Sequence, residues 1–154
     1  MSKRVRGFEV VSSDHRKHDG NIITPTRADK GSCGYDFYSP IDFEIKPQER
    51  FTLWTDIKSY MPSNECLDIN IRSSIGIKKG CVLSNTIGWI DSSYYDNESN
   101  DGNIGICLFN TSKETQCFKK GERIAQGKFL IFLTTDDDNI LYSNRVGGVG
   151  SSGA

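Results

Sequence analysis

The sequence predicts an all-β fold, a jelly-roll-like β-sandwich, from three observations. Where its hydrophobic residues show a clear period, they occupy every second position, as in half-buried strands. No amphipathic helix of ordinary length appears in the 154 residues. The alternating segments are short, and clusters of Gly, Pro, Asn and Ser separate them, a pattern typical of sandwiches and jelly rolls.

The alternation is clearest in four segments, at 41–46, 51–57, 67–72 and 104–108. Each should form a strand with one buried face. Residues 129–133 are instead a continuous apolar run, which predicts a strand buried on both faces. The sequence allows at most a short helical turn after Arg72.

The length suits one domain, which should bury about 70% of the surface of its unfolded chain. We expect an N-terminal strand and loop region at 1–22, a β core at 23–140 and a C-terminal arm at 141–154. The arm is rich in glycine and should be mobile unless a ligand or partner orders it; a frayed tail is the alternative. The polar segment DNESND, 96–101, is expected to be a solvated loop that interrupts a hairpin.

Composition argues against several classes of function. The chain has 19 basic and 20 acidic residues, so it offers no broad basic surface for stable nucleic-acid binding. The five cysteines are odd in number and never spaced as CxxC, which indicates reduced, mostly buried thiols rather than disulfides or a zinc site. No apolar run approaches the ~20 residues that span a bilayer, and no secretion signal is visible. We expect a cytoplasmic or nuclear protein without a membrane partner.

Five short segments of the chain contain candidate functional residues. The third of them, NTIGWIDSSY at 85–94, places an amide, a glycine, a carboxylate and a phenol within ten residues. Its Asp91, taken alone, would more often be a turn cap. A water-activating general base is the other interpretation. In RSSIG, 72–76, the guanidinium of Arg72 with two hydroxyls could cradle a phosphate, although the segment taken alone favours a surface arginine beside a capping Ser73.

The five segments stand in the order CGYDFYS (33–39), RSSIG, NTIGWIDSSY, ERIAQG (122–127) and RVGGVGSSG (145–153). Each is weak alone. In series, with GNIGICLFN between the third and fourth, they resemble the five motifs of the trimeric dUTPase family over most of the chain. The resemblance implies a dUTPase-like homotrimer that binds dUTP and hydrolyses it to dUMP and pyrophosphate, which limits uracil in DNA and supplies dUMP for thymidylate synthesis.

The resemblance also implies a role for each matching residue. Asp91 would activate a water aimed at the α-phosphorus, and Tyr94 would pack under the deoxyribose and exclude a 2′-hydroxyl. Asn85 and the backbone near Gly105 would read uracil, while Arg145 would clamp the outermost phosphate. The substrate-binding set is Arg72, Ser73, Ser74, Asn85, Gly88, Ile90, Asp91, Tyr94, Gly105, Gln126, Arg145, Val149, Gly150 and Ser151.

Magnesium is the implied cofactor, and it would arrive on the phosphates of dUTP. Asp36 would meet the ion through water at most, or would have a structural role in the GYD turn. The family arrangement further implies a shared site. The third motif would come from one subunit, the first, second and fourth from another, and the Arg145 arm from a third.

The chain departs from the family pattern at several positions. Val149 stands where an aromatic residue usually stacks on uracil, Trp89 and Ser93 replace common residues of the third motif, and Gly127 replaces a leucine. DNESND looks like an insertion after Tyr95. Two rivals remain: a nucleotide-binding regulatory or structural trimer with slow turnover, and a dCTP deaminase relative, which is disfavoured because GNIGICLFN lacks an acidic residue.

Overall fold

The computed structural model describes residues 3–141, 145 and 147–150. Antiparallel strands make up most of the secondary structure, and three short helical turns join them at Ser13–His15, Ile75–Lys79 and Ser92–Tyr94. The strands are β1 (Gly7–Val10), β2 (Tyr35–Tyr38), β3 (Phe43–Ile45), β4 (Arg50–Trp54), β5 (Ile57–Tyr60), β6 (Glu65–Ile71), β7 (Cys81–Leu83), β8 (Gly88–Asp91), β9 (Gly105–Asn110), β10 (Gln116–Phe118) and β11 (Arg123–Ile131).

The described strands form four antiparallel sheets. The largest sheet has the order β2-β11-β6-β8, and the next has the order β4-β9-β7. Two-stranded ladders join β1 to β5 and β3 to β10, so the N-terminal strand is tied to the rest of the chain. The all-β, jelly-roll-like prediction is confirmed.

The core follows the period of two that the sequence shows. Along β6, Leu67 and Ile69 are buried while Asp68 and Asn70 on the other face are half-exposed. Along β9, Ile106 and Leu108 are buried in the same way. One glycine makes this packing possible, because a Cβ at position 127 would lie 2.9 Å from the Phe37 ring. The replacement of a leucine by Gly127 is therefore explained by the bulk of its neighbour.

Two of the predicted strands differ from expectation. The alternation at 51–57 is split, because Asp56 adopts a left-handed conformation with φ 56° and separates β4 from β5. The apolar run at 129–133 is not buried on both faces: Ile131 is 69% exposed and Leu133 is 93% exposed. Strand β2 pairs with β11 only as far as Gly127, so the last part of β11 has a ladder partner on one side alone among the described residues.

The cysteine prediction is partly wrong. All five thiols are free, as expected, but only Cys81 is buried. Cys66 and Cys107 are half-buried, and Cys33 and Cys117 are exposed. No helix in the described ranges is long and apolar enough to cross a membrane.

The segment 96–101, called here the insertion loop, is only in part the solvated loop that its composition predicts: Asp96, Glu98 and Ser99 are exposed, but the loop is also anchored to the body of the protein. Asn97 is only 5% exposed, and the loop is anchored at both ends by Lys58. The ammonium nitrogen of Lys58 lies 2.5 Å from Asp96 Oδ1 and 2.9 Å from Asp101 Oδ1. The Ser12 amide donates to the other oxygen of Asp101. Polar residues thus fold this loop by bonding to one another and to the body of the protein.

The anchoring of the insertion loop depends on pH. Burial alone would raise the pKa of the Asp101 carboxyl, but the Ser12 amide and the Lys58 ammonium outweigh it and hold that pKa below its ordinary value. A carboxyl with a depressed folded-state pKa stabilises the fold above its unfolded pKa of about 3.9. That stabilisation is lost as the pH falls through the folded-state pKa.

We therefore expect Asp101→Asn to cost about 1 kcal/mol at pH 7, which lowers Tm by roughly 2–4 °C. As the pH falls through the folded-state pKa of Asp101, where the wild-type carboxyl also gains its proton, the Tm values of the two proteins should converge. Thermal unfolding of both proteins at equal concentration and several pH values measures the difference. Equal Tm values at pH 7 would show that the carboxylate does not stabilise the fold.

Candidate active site

The third motif lines a cavity of about 220 Å³. Nine predicted residues lie around it together, although they come from separate parts of the chain. Sequence reasoning missed the rest of the lining, which is Ile69, Leu83, Trp89, Ile106 and Cys107. The predicted residues are Asn85, Gly88, Ile90, Asp91, Tyr94, Gly105, Arg145, Val149 and Gly150.

A tight turn and a short strand shape the wall of this cavity. The turn between β7 and β8 has Thr86 in the left-handed region at φ 62°, and its amide donates to the Leu83 carbonyl at 3.1 Å. The exposed Asn85 side chain is thereby placed at the cavity. At position 88 a Cβ would lie 3.3 Å from the Ile69 side chain, so glycine lets β8 approach β6 closely.

Asp91 is the last residue of β8, and its side chain does not cap the helical turn that follows. Its Oδ2 instead accepts a hydrogen bond from Nη1 of Arg145 at 2.7 Å. The Asp91 side chain is 59% exposed, so water can reach it. The turn-cap interpretation is thus excluded, and a carboxylate this exposed at a cavity can hold a water.

Tyr94 is buried beside Asp91 and is held by its hydroxyl group. The hydroxyl donates to the Asn103 carbonyl at 2.8 Å and accepts from Nδ2 of Asn100 at 2.7 Å. Burial raises the pKa of the phenol, although the Asn100 and Arg145 side chains oppose this effect. The ring is therefore a neutral, fixed surface at the cavity. No pattern in the sequence indicates Asn100 or Asn103 as its partners.

Arg145 reaches the cavity from the C-terminal arm, as do Val149 and Gly150. Its guanidinium carbon lies 5.2 Å from the centre of the Tyr94 ring, and the side chain is 14% exposed. The resemblance implies that this arginine serves another subunit. In the structure of one chain, the Arg145 guanidinium instead pairs with the chain's own Asp91, the carboxylate that lines the same cavity.

Asp36, Arg72 and Gln126 come together at a second place, on neighbouring strands of the large sheet. Asp36 on β2 is cross-strand from Gln126 on β11. Its Oδ1 lies 2.9 Å from Nε of Arg72, and its Oδ2 lies 3.2 Å from Nη1 of Arg123. The Asp36 side chain is 6% exposed. Both oxygens are thus engaged by guanidinium groups, and Asp36 lies in a strand rather than in a turn.

The geometry of Asp36 favours the structural role over the metal contact. Its carboxylate holds Arg72 in a defined orientation, an arrangement that charge-assisted hydrogen bonds make strong. Ser73 and Ser74 follow Arg72 at the start of the helical turn, where Ser73 is exposed and Ser74 is half-buried. Within the described ranges no group of three or more His, Cys, Asp or Glu residues could hold a metal ion.

The two groups of residues are far apart in one chain. Asp91 pairs with Cys66 across the β6–β8 ladder, and Arg72 lies six residues beyond Cys66 along the same strand direction. At about 3.3 Å per residue the separation is about 20 Å. Arg72 and Asp91 of the same chain cannot contact the same phosphate group across that distance.

The positions that depart from the family pattern have clear surroundings. Val149 lines the cavity but is 85% exposed, so no aromatic ring covers the cavity from this position. Trp89 lines the cavity as well and is 72% exposed. Ser151 and most of the predicted mobile arm, 141–154, lie outside the described residues.

Comparisons with known proteins agree with these features. The dUTPase family model matches residues 20–153. The deoxyuridine 5′-triphosphate nucleotidohydrolase of Lactococcus lactis is 39% identical over 152 residues, which cover 98% of this chain and 99% of that protein. The human mitochondrial protein of the same name is 36% identical over 127 residues, 81% of this chain and 47% of its own.

A solved structure extends the likeness to three dimensions. The dUTPase from Streptococcus mutans has a TM-score of 0.77 and 35% sequence identity, covering 84% of this chain and 98% of that one. The five motifs, the fold and the relatives agree. The chain belongs to the dUTPase family, the dUTP diphosphatases.

Proposed function

We propose that this protein hydrolyses dUTP to dUMP and pyrophosphate. The single observation that carries the proposal is the cavity of the third motif, where the exposed carboxylate of Asp91 adjoins the fixed ring of Tyr94. The carboxylate is suited to activating water, and the ring is suited to packing against a sugar and limiting its size. The family membership of the chain supports the choice of dUTP.

Asp91 is the proposed general base. It holds a water aimed at the α-phosphorus and takes its proton as the P–O bond to the β-phosphate breaks, so that the products are dUMP and pyrophosphate. A general base needs hydrogen-bond reach to that water before it needs an unusual pKa. Asp91 is open enough for a water to bind.

The base and the sugar are selected in the same cavity. Asn85 and the backbone near Gly105 read the polar edge of uracil; cytosine is rejected because its edge would leave buried groups unpaired. A Cβ at Gly105 would lie 3.0 Å from the Trp54 ring, so this strand has no room for a larger residue. Tyr94 lies under the deoxyribose and leaves no space for a 2′-hydroxyl.

The triphosphate is bound by groups from more than one subunit. Arg72, Ser73, Ser74 and Gln126 would come from a neighbouring chain of a homotrimer, since within one chain Arg72 is about 20 Å from Asp91. Arg145, with Gly150 and Ser151 of the arm, would close over the outermost phosphate. In this assembly the present Asp91–Arg145 ion pair is exchanged for contacts to substrate.

Magnesium fits this site as an ion carried by the substrate. The described residues build no protein cage for it, and Mg²⁺ commonly keeps its waters and binds through substrate phosphates. When bound it would neutralise the triphosphate and fix its shape for in-line attack. Asp36 contributes by orienting Arg72.

The proposal is tested by incubating the protein with Mg²⁺ and each of dUTP, dCTP, dTTP and UTP, followed by measurement of pyrophosphate and ammonia. We expect pyrophosphate from dUTP at a rate far above the other three, and no ammonia. Ammonia from dCTP would identify a deaminase. Tight binding of dUTP without pyrophosphate would identify the regulatory or structural trimer, and the proposed function would be lost.

A further inference from the structure

The insertion loop folds around Asn97. Its Nδ2 donates to the Tyr94 carbonyl at 2.8 Å, and its Oδ1 accepts from the amides of Ser99 and Asn100 at 3.1 and 3.2 Å. Together with the Lys58 ion pairs, these bonds fix the loop at both ends and in the middle. A loop held this firmly can position a side chain that it carries.

Asn100 is the side chain that the loop presents to the cavity wall. Its Nδ2 donates to the Tyr94 hydroxyl at 2.7 Å, and the Asn103 carbonyl is also within 3.4 Å. Its Oδ1 accepts from Asn97 Nδ2 at 2.7 Å and from the Gly102 amide at 3.1 Å. Since Oδ1 faces two donors, the orientation of the amide is determined by its neighbours.

The two halves of the Asn100 amide therefore act on different parts of the protein. The oxygen accepts hydrogen bonds from within the loop, whereas the nitrogen donates to the Tyr94 hydroxyl. The Tyr94 hydroxyl already uses its own hydrogen on the Asn103 carbonyl, so Asn100 supplies the second bond that the hydroxyl can make. Two bonds from different directions restrict both the tilt and the shift of the ring.

The same loop also contacts the C-terminal arm. A Cβ built at Gly148 would lie 3.2 Å from Asn100 Nδ2 and 3.3 Å from Ser99 Oγ. Arg145, three residues earlier, lies over the Tyr94 ring. The insertion loop thus adjoins both the buried ring and the arm that covers it.

We propose that Asn100 is a positioning residue for sugar selection: its bond to the Tyr94 hydroxyl holds the ring where it excludes a 2′-hydroxyl. The inference rests on the proposed function, in which Tyr94 lies under the deoxyribose. It gives the insertion loop a role in the selectivity of the enzyme. Without the Asn100 donor the ring gains freedom to move away from the sugar, and UTP fits better.

The test is the ratio of kcat/KM for dUTP to kcat/KM for UTP. Asn100→Asp keeps the loop-facing oxygen and replaces the donor to Tyr94 by an acceptor; because the hydroxyl has one hydrogen, it can bond to this acceptor only by leaving the Asn103 carbonyl, and it keeps one bond in place of two. Asn100→Ala removes both the oxygen and the donor. The added charge of the aspartate and any loss of folded protein affect both nucleotides alike, because the two share one triphosphate, and so they cancel in the ratio. Glu98→Ala, an exposed change in the same loop, is the matched control.

We expect the ratio to fall about five- to tenfold in both Asn100 variants, the size of one lost hydrogen bond, and to stay unchanged in Glu98→Ala. In a Tyr94→Phe background, which has no hydroxyl to hold, Asn100→Asp should change the ratio no further. If one Asn100 variant fails to fold, the other still gives the ratio of the two kcat/KM values. A ratio within twofold of the wild type in an active Asn100 variant overturns the inference.

The same experiment separates this inference from the proposed function. If the wild-type protein releases no pyrophosphate from dUTP, the proposed function fails and the inference falls with it. If the wild type is active and selective but the Asn100 variants select equally well, only the inference fails. An equal further loss of selectivity from Asn100→Asp in the Tyr94→Phe background also overturns it, because the effect would not pass through the hydroxyl.

Discussion

Asp91→Asn is expected to bind dUTP with nearly the affinity of the wild type and to lose about 10²- to 10⁴-fold in turnover, the usual contribution of a general base. The amide has the shape of the carboxylate but cannot take a proton from water. Binding should persist because the phosphate-binding groups are elsewhere, and because Arg145 no longer has to leave an anionic partner. Calorimetric titration with dUTP and pyrophosphate release give the two quantities.

A matched control for this variant is Asp68→Asn. Asp68 is a half-exposed carboxylate of the adjacent strand β6, paired across the ladder with Trp89. Its replacement changes the charge by the same amount in the same sheet, and we expect near wild-type turnover. If Asp91→Asn turned over dUTP at the wild-type rate, Asp91 would not be the base.

Deletion of residues 145–154 is expected to leave a folded protein with kcat/KM for dUTP lowered by about 10²-fold or more, as when a charge-stabilising donor is removed from an active site. None of the described residues of this segment, 145 and 147–150, belongs to the hydrophobic core, so we expect Tm to stay within about 2 °C of the wild type. Loss of Arg145 removes a cation from the cavity.

Arg145→Lys separates the charge from the shape of this group. Lysine keeps the positive charge but lacks the planar fork that binds phosphate oxygens in pairs. We expect its activity to fall between those of the wild type and the deletion. Unchanged kinetics in the deletion variant, measured by pyrophosphate release over a range of dUTP concentrations, would show that the arm takes no part in catalysis.

Sequence reasoning succeeded where the signal is local. The alternation along β6 predicts which of its side chains are buried, and the third motif falls within ten consecutive residues, so its members share one cavity whatever the rest of the chain does. The position of Asp91 at the end of β8, beside the cavity, is a finding of the structure.

The predictions that failed depend on contacts between distant residues. The polarity of DNESND suggests a solvated loop, yet Lys58, about forty residues earlier, anchors it. The apolar run at 129–133 has the composition of a doubly covered strand, but composition does not tell that β2 ends before it. The hydrogen bond from Asn100 to Tyr94 could not be predicted, because the sequence around an asparagine in a polar loop does not indicate its hydrogen-bond partner.

The central step of the proposed reaction is the attack of a water held by Asp91 on the α-phosphorus of dUTP. Hydrolysis of dUTP in ¹⁸O-labelled water, with Mg²⁺ present and the products separated and weighed by mass spectrometry, tests it most directly. We predict one ¹⁸O atom per turnover in dUMP and none in pyrophosphate. Label in pyrophosphate would place the attack on the β-phosphorus and contradict the assignment of Asp91, and release of orthophosphate would contradict the reaction itself.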